Sequence, residues 1–189
     1  MRYDKGRKDA TRQHIVEAAG RRFRKDGIDG VGLAGLMADA GLTHGAFYGH
    51  FDSKEALAAE AIDAAFAANT RYWSERLAAG EPLEALVRRY LTAAHRDHPE
   101  LGCVAAALAG DAARRPPEGR EAFARRTREL VGVIATALSG PDTDDGVDRA
   151  WGVFAVMMGA LQLARAEPDP VRSEAILERG AAAALRLAR

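Results

Sequence analysis

Only one of the 189 residues is a cysteine, Cys103. That excludes an internal disulfide framework and a cysteine-built zinc finger. Aromatic residues are scarce, at 6%, and alternating runs of β-branched residues are missing, which argues against strands. Long apolar runs are missing too. The longest uncharged stretch of note, Ala150 to Ala164, has fifteen residues, short of the ~20 that span a bilayer. The opening Met1-Arg2-Tyr3-Asp4-Lys5-Gly6-Arg7-Lys8 holds no apolar run of the kind a signal peptide needs. A soluble, cytoplasmic chain with no membrane contact is expected. Net charge is zero, but unevenly so. Residues 1–54 carry ten Lys/Arg against seven Asp/Glu, and the remainder seventeen against twenty. A mildly basic head on a mildly acidic body suggests an anionic partner at the head.

What is present is helix-forming. Alanine, leucine, arginine and glutamate dominate. Ile15, Ala18, Ala19 and Phe23 share one face of a first helix, with Asp9 or Thr11 near its start and Gly27 just past its end. Further helical spacings run through Ala58, Ile62 and Phe66 from near Ser53, through Leu83, Leu86, Val87, Tyr90, Leu91 and Ala94, and through Phe123, Leu130, Val133, Ile134 and Leu138. Two more contain Trp151, Phe154, Met157, Met158 and Leu161, then Ile176, Leu177 and Leu185. Breaks fall at Gly80-Glu81-Pro82, His98-Pro99, Pro116-Pro117, Gly140-Pro141 and Pro168-Asp169-Pro170. The expectation is an all-α fold of about nine helices, three of them short and near the N-terminus. A functional division falls at residue 53, with a head of 1–53 and a body of 54–189, joined by a fourth helix.

The informative segment runs from Leu33 to Phe51. Leu33, Leu36 and Ala40 face inward from one short helix, and Gly41 supplies a turn with φ > 0. Leu42 packs inward, and Thr43 is expected to cap a second short helix with its hydroxyl. Phe47 and Phe51, at i and i+4, fall on the buried face, leaving His44, Gly45, Ala46, Tyr48, Gly49 and His50 outside. Two short helices joined by a glycine turn form a helix-turn-helix. A recognition helix must enter a major groove ~12 Å wide, and Gly45, Ala46 and Gly49 keep its leading face small. His44 and Ala46 sit nearest the base edges. Tyr48 and His50 are placed to donate to phosphates, and Lys54 adds charge at the next helix start. Arg2, Lys5, Arg7 and Lys8 form a basic arm.

This segment, from Thr11 to Leu57, resembles the DNA-binding domain of the TetR family of bacterial regulators. The resemblance lies in Thr11-Arg12…Ile15…Ala18-Ala19…Phe23…Gly27, in Ala40-Gly41-Leu42-Thr43, in Phe47-Tyr48-x-His50-Phe51 and in Ser53-Lys54-Glu55-x-Leu57. Three positions depart from it. Gly32 stands where the family usually has a capping Thr, Met37 replaces a small Ala, and Gly49 takes a place often held by Arg. The resemblance implies an N-terminal three-helix helix-turn-helix domain and a C-terminal helical domain for ligand binding and dimerisation. It implies a double-stranded operator, a small-molecule effector and a homodimer through the last two helices, where Gly159, Ala160, Gly180, Ala181 and Ala184 would permit close approach. Repression released by ligand is the expected mode, with no catalysis and no cofactor. The competing class is an all-α small-molecule binder or enzyme without DNA binding. No nucleophile–base pair, carboxylate dyad or P-loop supports catalysis.

Other signals are weighed against plainer roles. Gly30-x-Gly32-x-x-Gly35 matches a dinucleotide pattern but follows no strand, so the glycines serve a loop. His95 and His98, three apart, lack a completing ligand set, and no metal is expected. Trp73, Tyr90, Cys103, Trp151, Phe154, Met158 and Gln162 are candidates for the wall of one ligand pocket. Cys103 near a helix start resembles cysteines by which some members of the family sense electrophiles or oxidants. A helix N-terminus lowers a thiol pKa and burial raises it. The apolar run Val104 to Leu108 favours packing.

Overall fold

The computed structural model describes residues 2–139 and 144–189. Among these residues the chain forms nine α-helices, two 3-10 helices and no strand. The expected break at Gly140-Pro141 lies outside them. The head consists of α1 (Arg2–Asp26), α2 (Leu33–Asp39) and a 3-10 helix, His44–Gly49. The body consists of α3 (Lys54–Ala78), α4 (Leu83–Tyr90), α5 (Ala93–Asp97), a short 3-10 turn at Pro99–Leu101, α6 (Val104–Ala113), α7 (Pro117–Ser139), α8 (Asp144–Ala166) and α9 (Pro170–Leu187).

Two expectations about helix ends need correcting. The first helix begins at Arg2, not near Asp9 or Thr11, so the basic arm is part of α1. Arg7 and Lys8 are exposed there; the side chains of Arg2 and Lys5 lie outside the described set. Nothing between Arg2 and Thr11 opposes helix strongly enough to stop it, because a lone Gly6 costs only ~1 kcal/mol. Secondly, the run from Leu83 to Ala94 is two helices. α4 stops at Tyr90, and Thr92 starts α5 by accepting a hydrogen bond from the His95 N–H at 3.3 Å. The remaining punctuation follows simple chemistry. Gly27, Gly41 and Gly80 take positive φ just past helix ends. Ser53 and Asp169 cap α3 and α9 with side-chain oxygens.

One apolar core runs through head and body. Phe23, Phe47, Phe66 and Phe154 are among its largest fully buried side chains. Phe66 on α3 meets Phe123 on α7 edge-on at 5.1 Å. The same two helices are clamped by Arg126, whose guanidinium donates to both oxygens of Asp63 at 2.6 Å. Its hydrogen bonds hold the Asp63 carboxyl below the usual range. Several contacts tie the head to the body. Arg24 of α1 donates to the Glu100 carbonyl at 2.8 Å, Arg115 pairs with Asp29, and α1 packs on α3.

α8 and α9 pack along each other within the chain. The small residues expected at a subunit interface do their work here. A Cβ on Gly180 would overlap Ala160, and Ala181, Ala184 and Met157 are buried. A charge at Ala181 would therefore unfold the chain before it separated two copies. Gly159, by contrast, is exposed, with open space around it.

Candidate nucleic-acid interface and effector cleft

α2 ends in a Schellman motif. Gly41, at φ +67°, donates to the Ala38 carbonyl at 2.9 Å, and Leu42 donates to Met37 at 2.8 Å. This fixes the angle at which the chain enters the recognition segment. That segment is a 3-10 helix rather than an α-helix: Ala46 donates to the Thr43 carbonyl at 3.0 Å and His50 to Phe47 at 2.9 Å. Two glycines in six residues weaken an α-helix too short to nucleate well. Phe47 and Phe51 stack at 5.8 Å and are both buried, so they anchor the segment from beneath.

The outer face is as small as the residues suggest. Thr43, His44, Gly45, Tyr48 and Gly49 are exposed, with Tyr48 at 64%; Ala46 and His50 are half-buried. A Cβ at Gly45 or Gly49 would meet nothing within 4 Å. The fold therefore does not require glycine at either place. Thr43 holds the cap position, but its hydroxyl makes no capping bond, contrary to expectation. Gly32, likewise, cannot cap α2 with a side chain. Lys54 is the half-buried first residue of α3. His50 offers less than expected, since its Nδ1 is buried without a partner.

Arg12 has a role that the sequence did not reveal. Its guanidinium lies 4.0 Å over the Phe51 ring and donates to the His50 carbonyl and the Glu60 carboxylate. It thus pins the end of the recognition segment to α1 and α3. The available signal was only a long cation one turn before Ile15 on α1, which many solvated helix faces share.

The pocket candidates divide into two groups. Trp73, Tyr90 and Cys103 come together with Asn69, His95 and Leu130 around a cleft of about 490 Å³. Trp151, Phe154, Met158 and Gln162 line a different groove, of about 550 Å³. The first turn of α6 separates them: Ala105 and Ala106 wall the groove, while Cys103 walls the cleft. Gln162 is spent on the Ala106 carbonyl, and Trp151 is 40% exposed. A further cavity, about 320 Å³, opens between Ile28 of the head and Ile62, Ala112 and Phe123 of the body. No sequence pattern marked it, because its walls come from four separate segments.

The cleft is closely bonded on one side. His95 Nδ1 donates to the Tyr90 carbonyl at 2.7 Å, and Nε2 accepts the Cys103 N–H at 3.0 Å. Both ring nitrogens are thereby committed and the neutral tautomer is fixed. Burial lowers the His95 pKa. Gly102 is pressed against this ring so closely that a Cβ would overlap it. Burial also raises the Cys103 thiol, against the opposing pull of the Ala106 N–H, the Tyr90 hydroxyl and the Ala105 N–H. Of the two effects weighed for this cysteine, burial wins.

Among the described residues, no helix is long and apolar enough to cross a membrane, and no group of three or more His, Cys, Asp or Glu could hold a metal. Residues 15–61 match the family model for bacterial regulatory proteins of the tetR family. Over 63 residues the chain is 40% identical to the HTH-type transcriptional regulator TtgR of Pseudomonas putida. That match covers 33% of this chain and 30% of TtgR, so the chain spans under a third of the length of that relative. The fold is similar to that of Escherichia coli NemR in its reduced form, at TM-score 0.77 and 22% identity over 94% of this chain and 97% of that one. It is also similar to a TetR transcriptional regulator from Chloroflexus aurantiacus, at TM-score 0.75 and 26% identity over 100% and 95% of the two chains. The chain thus carries a helix-turn-helix head of the TetR type at residues 15–61 and a body folded like that of a solved TetR regulator.

Proposed function

We propose that this chain is a dimeric, ligand-responsive transcriptional regulator. It represses by binding a pseudo-palindromic operator and is released when an effector occupies the Trp73–Tyr90–Cys103 cleft. The observation that carries the reading is the recognition surface: two exposed glycines that the fold does not need, set on a doubly anchored aromatic base. Glycine there benefits only a partner that must come close. In this reading His44, Gly45, Ala46 and Gly49 face base edges, while Thr43, Tyr48, His50 and Lys54 hold phosphates. Two such segments, one per subunit, read half-sites ~34–36 Å apart or a little more. The apolar side chains left exposed on α8 and α9, among them Trp151, Leu163 and Val171, support pairing through these helices. We read the chain as a binding protein of the cytoplasm rather than an enzyme.

A physical route joins cleft and head. The strap from His98 to Cys103 borders the cleft, and its Glu100 carbonyl is held by Arg24 of α1. An occupant that moves the strap pulls on α1. α3 offers a second route, since it walls the cleft and begins beside the recognition segment. The effector must favour the DNA-incompetent state by ~1–3 kcal/mol for a modest response. A cysteine sensor is the weaker reading, because the thiol is buried and its pKa is raised.

The test is operator binding on fragments obtained by in vitro selection. Lys54→Ala should weaken binding to all sequences alike and reduce the salt slope by about one unit. Unchanged affinity from about 50 to 200 mM salt would remove the phosphate assignment. A wild-type chain that sediments as a monomer at micromolar concentration would remove the two-half-site geometry.

A further inference from the structure

The cleft has a definite chemical character. Its walls carry basic side chains, but each is already engaged. Arg89 donates to the Tyr72 hydroxyl at 2.7 Å and is paired with Glu81. His98 faces Glu100, and His95 has both nitrogens in use. Nearby Arg165 donates instead to the carbonyls of His95 and Arg96. A charged ligand would lose its hydration here without gaining a free counter-charge. The Thr92 hydroxyl is spent on the Arg89 carbonyl, and most of the remaining wall is aromatic and aliphatic, with Tyr72, Trp73, Leu86 and Leu130.

Against this background one donor stands out. Tyr90 is on the wall, only 7% exposed, and the buried hydroxyl at the end of its side chain finds no nitrogen or oxygen partner. Its polar neighbour is the Cys103 thiol, a weak hydrogen-bond partner. Buried hydroxyls are rarely left in this condition, and those that are call for an explanation. Asn69 adds a second polar group, whose Oδ1 accepts the Val104 N–H at 3.0 Å.

Building on the effector reading of this cleft, we infer that it takes a neutral, largely aromatic molecule bearing a carbonyl-type acceptor, which receives the Tyr90 O–H. About 490 Å³ suits a bicyclic body.

Four probes of one size separate the possibilities: 2-acetonaphthone, 2-ethylnaphthalene, 2-naphthoate and 2-naphthylmethylammonium. Titration calorimetry on the intact chain should show the ketone binding about tenfold or more tighter than the hydrocarbon, with both ions weakest. Tyr90→Phe should erase the advantage of the ketone and leave the hydrocarbon unchanged. The inference is overturned if either ion equals the ketone, if ketone and hydrocarbon bind alike, if Tyr90→Phe keeps the preference, or if none of the four binds. Should Tyr90→Phe lose its fold by circular dichroism, the order of the four probes on the wild type decides. Operator release is scored separately. A ketone that binds with the expected preference but leaves the operator complex intact overturns the effector role and upholds the ligand class.

Discussion

Gly49 on the recognition segment and Gly102 on the cleft wall are both glycines near a candidate binding surface, yet their surroundings are opposite. Gly49 looks onto open space, whereas Gly102 is pressed against the His95 ring. The first is small although nothing within the chain requires it. The second is small because the chain itself leaves no room. The difference shows how a binding surface can be told from a packed wall. On the recognition face, side-chain hydrogen-bonding groups are left open, such as the Thr43 hydroxyl. In the cleft nearly every polar group is already taken.

Substitution can break this comparison. The largest effect is expected at Gly102→Ala. The added methyl must displace the His95 ring and disturb its bond to the Cys103 N–H, so a loss of about 1–3 kcal/mol should appear in urea unfolding. No loss would mean that the wall is loose.

Next comes the pH dependence of the same wall. Burial lowers the His95 pKa below its usual 6.5. The unfolded chain therefore takes up a proton first as pH falls. The stability from neutral His95 is complete above about 6.5 and declines below it, down to the lowered folded value. Between pH 7.5 and 5.5 the wild type should lose stability with a slope of at most ~1.4 kcal/mol per unit from this group. His95→Gln should be flatter over that range. Parallel curves would show that His95 does not titrate with unfolding.

The smallest stability change is expected at Gly49→Ala. Its φ is not positive and its surroundings are open. Stability should hold or rise by about 0.4–1 kcal/mol, because the unfolded chain loses freedom. Operator affinity should nevertheless fall, since in the proposed complex the methyl enters the space that DNA would occupy. A variant that binds as well as wild type would reduce the recognition face to ordinary surface.

The parts of the fold legible in the sequence are those set by one residue's own chemistry. Gly41 had to make the turn, Ser53 could cap α3, and Phe47 and Phe51 had to be buried together. Features decided between segments were hidden. The break between α4 and α5 falls inside an unbroken apolar spacing, and only Thr92 could have signalled it. The 3-10 form of the recognition segment depends on its aromatic anchors as much as on its glycines. Gly180 and Ala160 read as an interface between subunits because close helix approach looks the same in sequence whether it lies within one chain or between two. Most of the pocket candidates share apolar or aromatic character along the sequence, but the position of α6 divides them. Nothing in spacing along the chain reports that.

The unbroken length of α3 has a mechanical consequence. Twenty-five residues at a rise of 1.5 Å make a rod of about 37 Å. One end stands beside the recognition segment, and the side chains of Asn69 and Trp73, four to five turns further on, reach the cleft. A rotation of about 5° about the far end moves the near end by roughly 3 Å, close to the 3.4 Å rise of one base pair. In the proposed dimer, an occupant of the cleft therefore needs no large rearrangement to put the two recognition segments out of step with their grooves. A few degrees are enough, which sets the scale of displacement against which an effector's work at the cleft should be measured.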